Sequence, residues 1–131
     1  MSEPLITRDQ RYAAIIYGQV NEVLNRDKRE QEDYGRLANH LPVLVKKAGL
    51  AQALSFAEAK SEAGDKQLLD DLQVTINEIS GWQIDLMDRS RKAELSEYLW
   101  LTQQVMTALH WYKRFAQSVL NVKQGDEGRD R

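Results

Sequence analysis

The longest uninterrupted helical pattern in the sequence lies near its carboxyl end, over residues 95–122. Apolar side chains recur there every three or four residues, which places them on one face of an α-helix. The predicted inward positions are Leu95, Leu99, Thr102, Val105, Met106, Leu109, Tyr112, Ala116 and Val119. The segment contains neither Gly nor Pro, so no residue in it favours a break. A helix of about 28 residues spans roughly 42 Å, and an apolar face of that length requires several shorter elements to cover it.

The other segments also show helical periodicity, and none alternates with the period of a β-strand. The first predicted helix begins at Thr7, which has capping-box spacing to Gln10, and ends in the charged segment 26–33. The second runs from about 33 to 48 and contains Pro42, and the third runs from 50 to 61, between Gly49 and Gly64. The fourth runs from 66 to 80, between the predicted cap Asp65 and the predicted stop Gly81. We expect Pro42 to kink or restart its helix. Residues 82–87 add one or two helical turns, and residues 89–92 form a basic link to the long helix.

These elements predict an all-α fold, a compact single-domain bundle of five to six helices built around the long carboxyl-terminal helix. We expect one domain over residues 1–131, with flexible tails at 1–6 and 124–131. The sequence has no Cys, no apolar segment at its amino end and no run near the ~18 apolar residues of a membrane span. We therefore expect a cytoplasmic protein that makes no contact with membranes.

Charge is unevenly distributed along the sequence, although the net charge is only −2. Residues 36–60 carry four Lys or Arg against one acid, and residues 89–123 carry six against two. Residues 61–88 carry one Lys against seven acids, so the fourth predicted helix is acidic. If the basic helices lie side by side, they form a positive strip that suits a phosphate backbone and reads little of its sequence. The alternative is ordinary variation of charge over a solvated surface.

No pattern typical of a catalytic or metal site is present. The phosphate-binding glycine loop and the G-x-S-x-G and H-E-x-x-H motifs are absent. His40 and His110 have no His or carboxylate three or four residues away, so neither is predicted to bind a metal. Asp70 and Asp71 are adjacent, point about 100° apart on a helix and so do not form a catalytic pair. We predict no catalytic residue, no metal and no cofactor.

Two further features allow two interpretations each. Gly18 and Gly35 occupy isolated helical positions, where either close packing against a neighbour or simple tolerance explains a glycine. Trp100 and Trp111 lie eleven residues apart and therefore on one side of the long helix. Such aromatic residues are typical of a core or interface; together with the basic pair 113–114 they also suit an aromatic and basic contact edge for single-stranded bases.

Two stretches of the sequence together resemble a known family. One is YGRLANHLPVL at residues 34–44, followed by GLAQALSF at 49–56; the other is YLWLT at 98–102, followed by WYKRFA at 111–116. The chain is similar to the small α-helical subunit of the Cmr effector complex, the type III-B CRISPR system. The similarity extends in order from the first helix to Ala116, and its most distinctive part is Leu-Pro followed by Gly-Leu-Ala-Gln.

The resemblance implies a non-catalytic structural subunit of a CRISPR RNA-guided ribonucleoprotein that targets foreign RNA in antiviral defence. In that family the small subunit binds other Cmr subunits, stacks in copies into a short filament and lies along the CRISPR RNA and its target. From the basic helices at or near the matching stretches we predict the contacts to the RNA backbone: Arg36, Lys46, Lys47, Lys113 and Arg114. Two alternatives are a helical protein–protein interaction adaptor without direct RNA binding and a small enzyme, for which no nucleophile, acid–base pair or metal set is evident.

Overall fold

The computed structural model describes residues 5–60 and 62–123, and every regular element in these ranges is an α-helix. The six helices are α1 (Arg8–Val23), α2 (Lys28–Ala48), α3 (Leu50–Ala59), α4 (Ala63–Ser80), α5 (Leu86–Lys92) and α6 (Leu95–Ser118). The predicted all-α bundle with a long final helix is confirmed. Of the predicted tails, residues 1–4 and 124–131 lie outside the described residues, while Leu5 and Ile6 are exposed. None of the described helices combines the length and apolar character that crossing a membrane requires.

Several helix ends lie where local signals predict them. Thr7 begins α1 with a capping box: its hydroxyl accepts from the Gln10 N–H at 3.0 Å, and the Gln10 side chain accepts from the Thr7 N–H at 2.8 Å. Gly49 follows α2 with a φ of 90°, and Gly81 follows α4 with a φ of 78°. Glycine adopts both conformations without the steric cost that a Cβ imposes, so both act as helix stops.

The second helix begins earlier than predicted. Asp27 caps it by accepting a hydrogen bond from the Glu30 N–H at 2.9 Å, so α2 starts within the charged segment that we expected to be a connection. Ion pairs with helical spacing join Arg26 to Glu30 at 3.2 Å and Arg29 to Asp33 at 3.4 Å. Mixed charges at this spacing favour a solvated helix as well as a loop, which explains the error.

Two predicted helix boundaries differ in the structure. Helix α2 continues through Pro42, so the predicted restart is wrong; the buried residues on both sides of Pro42 outweigh the loss of one backbone hydrogen bond. Gly64 and Asp65 lie in the first turn of α4 and do not end α3 or cap α4. A Cβ on Gly64 would collide with the backbone of α2 at Glu30 and Tyr34, so this glycine permits the close contact between α2 and α4.

The chain after α6 folds back before residue 122, so the long helix is shorter than predicted. Asn121 has a φ of 61°, a left-handed conformation that ends any helical continuation. The Val122 N–H then donates to the Ala116 carbonyl at 3.0 Å, and both Leu120 and Val122 are buried. These apolar residues therefore join the core, as their sequence pattern suggests, but do so from a turn.

The start of α6 also differs from the prediction. Asp85 caps α5, and the predicted basic link 89–92 forms the second half of that helix. Leu95 and Leu99 are 72% and 55% exposed, so their predicted inward orientation is wrong. The buried face of α6 begins at Leu101.

Helices α2 and α6 run antiparallel through the bundle. Tyr98, near the start of α6, accepts a hydrogen bond from the Ala51 N–H just beyond α2 at 3.1 Å. At the other end of α6, Gln117 donates to Asn39 in the middle of α2 at 3.1 Å. Helices α1 and α4 pack against this pair. The largest fully buried side chains are Tyr12, Tyr34, Tyr112, Ile16, Leu37, Leu41, Leu50, Leu54, Leu68, Leu72, Ile76 and Leu86.

Candidate nucleic-acid interface

The seam between α2 and α6 is fixed by the buried side chain of Asn39. Its amide donates to the Val122 carbonyl at 3.1 Å, and its oxygen accepts from the Gln117 amide at 3.1 Å. Asn39 is buried, and its bond to Val122 is shielded from water, which strengthens it. The faces of α2 and α6 that carry Asn39 and Gln117 therefore meet in a defined register.

Two of the predicted RNA contacts, Lys46 and Lys113, border this seam. Lys46 lies two turns after Asn39 and so on the same face of α2, and Lys113 lies one turn before Gln117 on the facing side of α6. Lys46 is exposed and Lys113 is half-buried. No Asp or Glu occurs in residues 34–57 or 98–123, so neither stretch offers a carboxylate to offset this positive charge.

Lys47 and Arg36 occupy an adjoining face of α2, since eleven residues correspond to about three helical turns. Lys47 is exposed, whereas the Arg36 side chain is only 17% exposed and is ion-paired with Asp33. The lining of a cleft of about 300 Å³ consists of Arg29, Asp33, Arg36, Leu37, His40, Lys60, Glu62 and Asp65. The acidic side chains in this lining equal the Lys and Arg side chains in number, so Arg36 lies among charges of both signs and not in a basic patch.

Two carboxyl groups of the acidic helix α4 are buried. Burial raises the pKa of Asp65 to about 6, and the nearby Lys60 opposes that shift. Burial also raises the pKa of Asp71, against the effect of hydrogen bonds from Tyr34 at 2.7 Å and Gln67 at 2.8 Å. As predicted for adjacent helical residues, Asp70 points elsewhere and is exposed. Part of the negative charge of α4 therefore faces the interior rather than solvent.

Buried tyrosines link α2, α4 and α6. Tyr34 bonds to Asp71 of α4, and the Tyr112 hydroxyl lies 2.9 Å from that of Thr75. Burial raises the pKa of Tyr34 and of Tyr112 well above the ordinary value and that of Tyr12 to about 12. All three hydroxyls stay neutral near pH 7 and serve as hydrogen-bonding groups of the core. No local sequence pattern predicts these contacts, because each joins residues that are far apart in the sequence.

Arg114 lies on another flank of α6 from Lys113, because successive helical residues point about 100° apart. It lines a groove of about 400 Å³ together with Asp9, Thr107, His110 and Trp111. The Trp111 indole N–H donates to the Asp9 carboxylate at 2.9 Å, which joins α6 to α1. The spacing of the tryptophans predicts an aromatic and basic edge here, whereas the participation of Asp9 depends on helix packing and was not predictable.

The five predicted RNA contacts thus lie on three surfaces of α2 and α6. Lys46 and Lys113 border the seam, Arg36 and Lys47 lie on the adjoining face of α2, and Arg114 lies on the α1 side of α6. By helical spacing, Lys46 and Lys113 fall on the faces of α2 and α6 that carry Asn39 and Gln117, whereas Arg114 falls on another flank of α6. The seam is defined by the hydrogen bond between Asn39 and Gln117, and Lys46 and Lys113 are the basic residues assigned to its border.

The two histidines occupy different environments. His40 is half-buried and packs edge-on against Phe56, with ring centroids 6.0 Å apart. His110 is exposed at the groove beside Trp111. Within residues 5–60 and 62–123, no group of three or more His, Asp or Glu side chains is arranged to hold a metal ion.

Comparison with known proteins gives consistent matches. A family model described as CRISPR-associated protein (Cas_Cmr5) matches residues 8–119. The CRISPR system Cmr subunit Cmr5 of Thermus thermophilus is 38% identical over 116 residues, which cover 87% of this chain and 96% of that protein. The X-ray crystal structure of a CRISPR-associated Cmr5 family protein, also from Thermus thermophilus, matches with a TM-score of 0.76 and 38% identity, covering 88% of this chain and 99% of that one.

Proposed function

Because the chain belongs to the Cmr5 family of CRISPR-associated proteins, we propose that it is a non-catalytic structural subunit of the type III-B Cmr effector complex in the cytoplasm. In this role it binds other subunits of the complex and stacks with copies of itself. It contacts the backbone of the CRISPR RNA and of the target RNA through the basic side chains of α2 and α6. The complex acts in antiviral defence by targeting foreign RNA.

The RNA contact is supported by the hydrogen bond between Asn39 and Gln117, which joins the helix faces on which Lys46 and Lys113 fall, within two stretches without acids. Lys47 adds positive charge on the adjoining face of α2, and Arg114 adds it on the separate, α1 side of α6. Lys and Arg attract phosphates and release condensed counterions, so such a surface favours RNA without reading its sequence. Four phosphate contacts correspond to a slope of about −3 when log affinity is plotted against log salt concentration.

The buried polar groups support a structural rather than a catalytic role. Tyr34, Tyr112 and Asp71 satisfy one another or neighbouring side chains inside the bundle. His40 packs on an aromatic ring, and Arg36 is paired with Asp33. Each of these groups, a candidate for acid–base chemistry by residue type, thus already has a partner within the fold.

Stacking and subunit contacts are supported by exposed apolar side chains. Leu95 and Leu99 at the start of α6 are exposed one turn apart, and Val74 is exposed on α4 between Asp70 and Glu78, which are spaced four residues to either side. A contact with another copy or subunit would remove this apolar surface from water. The same side chains favour the second candidate function, an adaptor that binds proteins but not RNA.

The test is charge reversal at the four outer positions in the reconstituted complex. The variant carries Lys46→Glu, Lys47→Glu, Lys113→Glu and Arg114→Glu, and the charge-matched control carries Lys28→Glu, Lys66→Glu, Arg91→Glu and Lys92→Glu. Assembly is followed by size-exclusion chromatography, and target-RNA affinity is measured over a range of salt concentrations.

We expect the test variant to assemble normally, to bind target RNA more weakly and to show a flatter salt dependence, with little change in the control. This result would also argue against the adaptor. Unchanged RNA affinity in the test variant would refute the assignment of the strip. Equal losses in both variants would show that only the net charge matters.

A further inference from the structure

A row of aromatic rings lies where α1 meets the end of α6. Tyr17 packs edge-on against Phe115 with centroids 5.3 Å apart, and Phe115 stacks on Trp111 at 5.4 Å with an interplanar angle of 27°. Tyr17 is half-exposed, and the other two rings are partly exposed. The row therefore reaches the surface and does not form part of the closed core.

The Trp111 ring, which packs on Phe115, also lines the groove. Phe115 lies one turn after Trp111 and packs on it from the carboxyl-terminal side. The groove of about 400 Å³ is lined by Thr107, one turn before Trp111, and not by Phe115. A planar group that entered the groove from this side would extend the row of rings by one member.

The polar groups around the groove suit a nucleotide. The exposed Arg114 offers a guanidinium that pairs with phosphate oxygens. Asp9 accepts a hydrogen bond from the Trp111 indole, which orients the ring. The volume of the groove falls within the range of about 300–1,000 Å³ that is typical of small-ligand sites. Every nucleobase has an aromatic face, so stacking on tryptophan tolerates any sequence.

We propose that this groove binds an unpaired nucleobase with its phosphate, the base stacking on Trp111 and the phosphate pairing with Arg114. The inference rests on the proposed role in RNA binding and adds to it a preference for unpaired RNA, which backbone contacts alone do not give. A single-stranded RNA segment and a free nucleotide share this chemistry. Single-stranded RNA is the occupant for which the neighbouring basic surface is suited.

Trp82 provides a matched control near the other end of α6. It is also at the surface, but its ring packs against Trp100 at 4.9 Å and lies 5.9 Å from the Arg89 guanidinium, which is itself ion-paired with Glu97. Trp100 and Arg89 thus already pack against the Trp82 ring, where a base would otherwise stack. Loss of Trp82 should leave RNA binding unchanged.

The experiment uses the full chain with Trp111→Leu, Trp111→Phe and Trp82→Leu, after far-UV circular dichroism has verified the helical content. Three probes are compared at one salt concentration: a single-stranded oligoadenylate, an RNA duplex of the same length, and adenosine monophosphate. Affinities come from fluorescence anisotropy of labelled RNA, and tryptophan quenching reports stacking in the unlabelled protein.

We expect Trp111→Leu to weaken binding of the single strand about five-fold or more and to leave duplex binding within about two-fold. Trp111→Phe, which keeps a ring but loses the bond to Asp9, should retain most single-strand affinity. Trp82→Leu should match the wild type with both RNAs. Quenching by adenosine monophosphate that disappears in Trp111→Leu would extend the site to free nucleotides, whereas quenching by the oligoadenylate alone would restrict it to a strand.

Three results would overturn the proposal: unchanged single-strand affinity in Trp111→Leu, equal losses for single strand and duplex, or no quenching of the wild type by oligoadenylate. If Trp111→Leu does not fold, the proposal is judged by whether oligoadenylate quenches the tryptophan fluorescence of the wild type. Quenching that persists in Trp82→Leu would then support Trp111 as the stacking residue. Failure of the backbone strip is a separate outcome, because it would appear as unchanged duplex affinity in a variant that carries only Lys46→Glu, Lys47→Glu and Lys113→Glu and keeps Arg114.

Discussion

Replacing Gly35 by alanine tests how the chain after α6 is held against α2. A Cβ at position 35 would lie 2.5 Å from the Cβ of Val122 and 2.6 and 2.8 Å from its two methyl carbons. Carbon atoms do not approach so closely, and the Cβ of Val122 cannot move away by a change of rotamer. The Val122 residue must therefore shift out of its buried site and release the hydrogen bond that Asn39 donates to its carbonyl.

The expected cost follows from these contacts. Exposing a buried valine costs about 1.5–3 kcal/mol, and losing the Asn39 hydrogen bond costs about 1 kcal/mol more. The higher helix propensity of alanine returns about 1 kcal/mol. We therefore expect Gly35→Ala to lower the free energy of unfolding by roughly 1.5–3 kcal/mol.

Gly18 provides the matched control, because a Cβ there would meet nothing within 4 Å. Gly18→Ala should therefore raise the free energy of unfolding by about 1 kcal/mol through helix propensity alone. Urea denaturation followed by circular dichroism measures both variants. Gly35→Ala should also be introduced into a Val122→Gly background, where the colliding side chain is absent. There it should lower the free energy of unfolding much less than it does in the wild type. Stabilisation by both alanines, or additive effects of the two changes, would refute the reasoning.

Two further predictions concern the buried carboxyls. Tyr34→Phe removes the hydrogen bond that stabilises charged Asp71, so we expect a loss of about 1–3 kcal/mol of stability at pH 8 and a smaller loss in acid, where Asp71, whose pKa is raised by burial, becomes protonated; a loss that stays the same on acidification would contradict this assignment. The pKa of Asp65 is raised from 3.8 to about 6 in the folded chain, so its contribution to stability is full below pH 4 and declines as the pH rises towards 6. Asp65→Asn should therefore be more stable than the wild type by about 1–2 kcal/mol at pH 7.5, with the difference disappearing near pH 4 in urea titrations; a difference independent of pH would disprove it.

The parts of the fold that were predictable depend on neighbouring residues in the sequence. The capping box at Thr7 and the glycine stops at Gly49 and Gly81 each involve a few consecutive residues, so the sequence alone determines them. Gly64 has the same local signature as a stop but lies within α4, because its role is to admit the backbone of α2. Local patterns cannot separate a glycine that ends a helix from one that allows two helices to touch.

The same distinction applies to the apolar face of α6. Its spacing correctly places Val105, Leu109 and Tyr112 in the core. Leu95 and Leu99 continue that spacing but are exposed, since burial depends on how far the other helices extend. An exposed continuation of a buried face is the surface through which a helical subunit is suited to bind a partner.

The candidate interface was predictable in its charge and not in its geometry. The basic segments and their lack of acids are visible in the sequence, as are the tryptophan and the basic pair at residues 111–114. The placement of Lys46 and Lys113 at one seam depends on the hydrogen bond between Asn39 and Gln117, which are far apart in the sequence. Similarly, the groove beside Trp111 exists because α1 brings Asp9 to it.

The most direct measurement is affinity purification of the tagged chain from its native cell, with sequencing of bound RNA and identification of the co-purified proteins. We predict recovery of CRISPR RNA of guide length together with several larger Cmr subunits. The charge-reversed chain, purified in the same way, should retain the subunits and lose target RNA. Recovery of partner proteins without any CRISPR RNA would contradict the central claim and favour the protein adaptor.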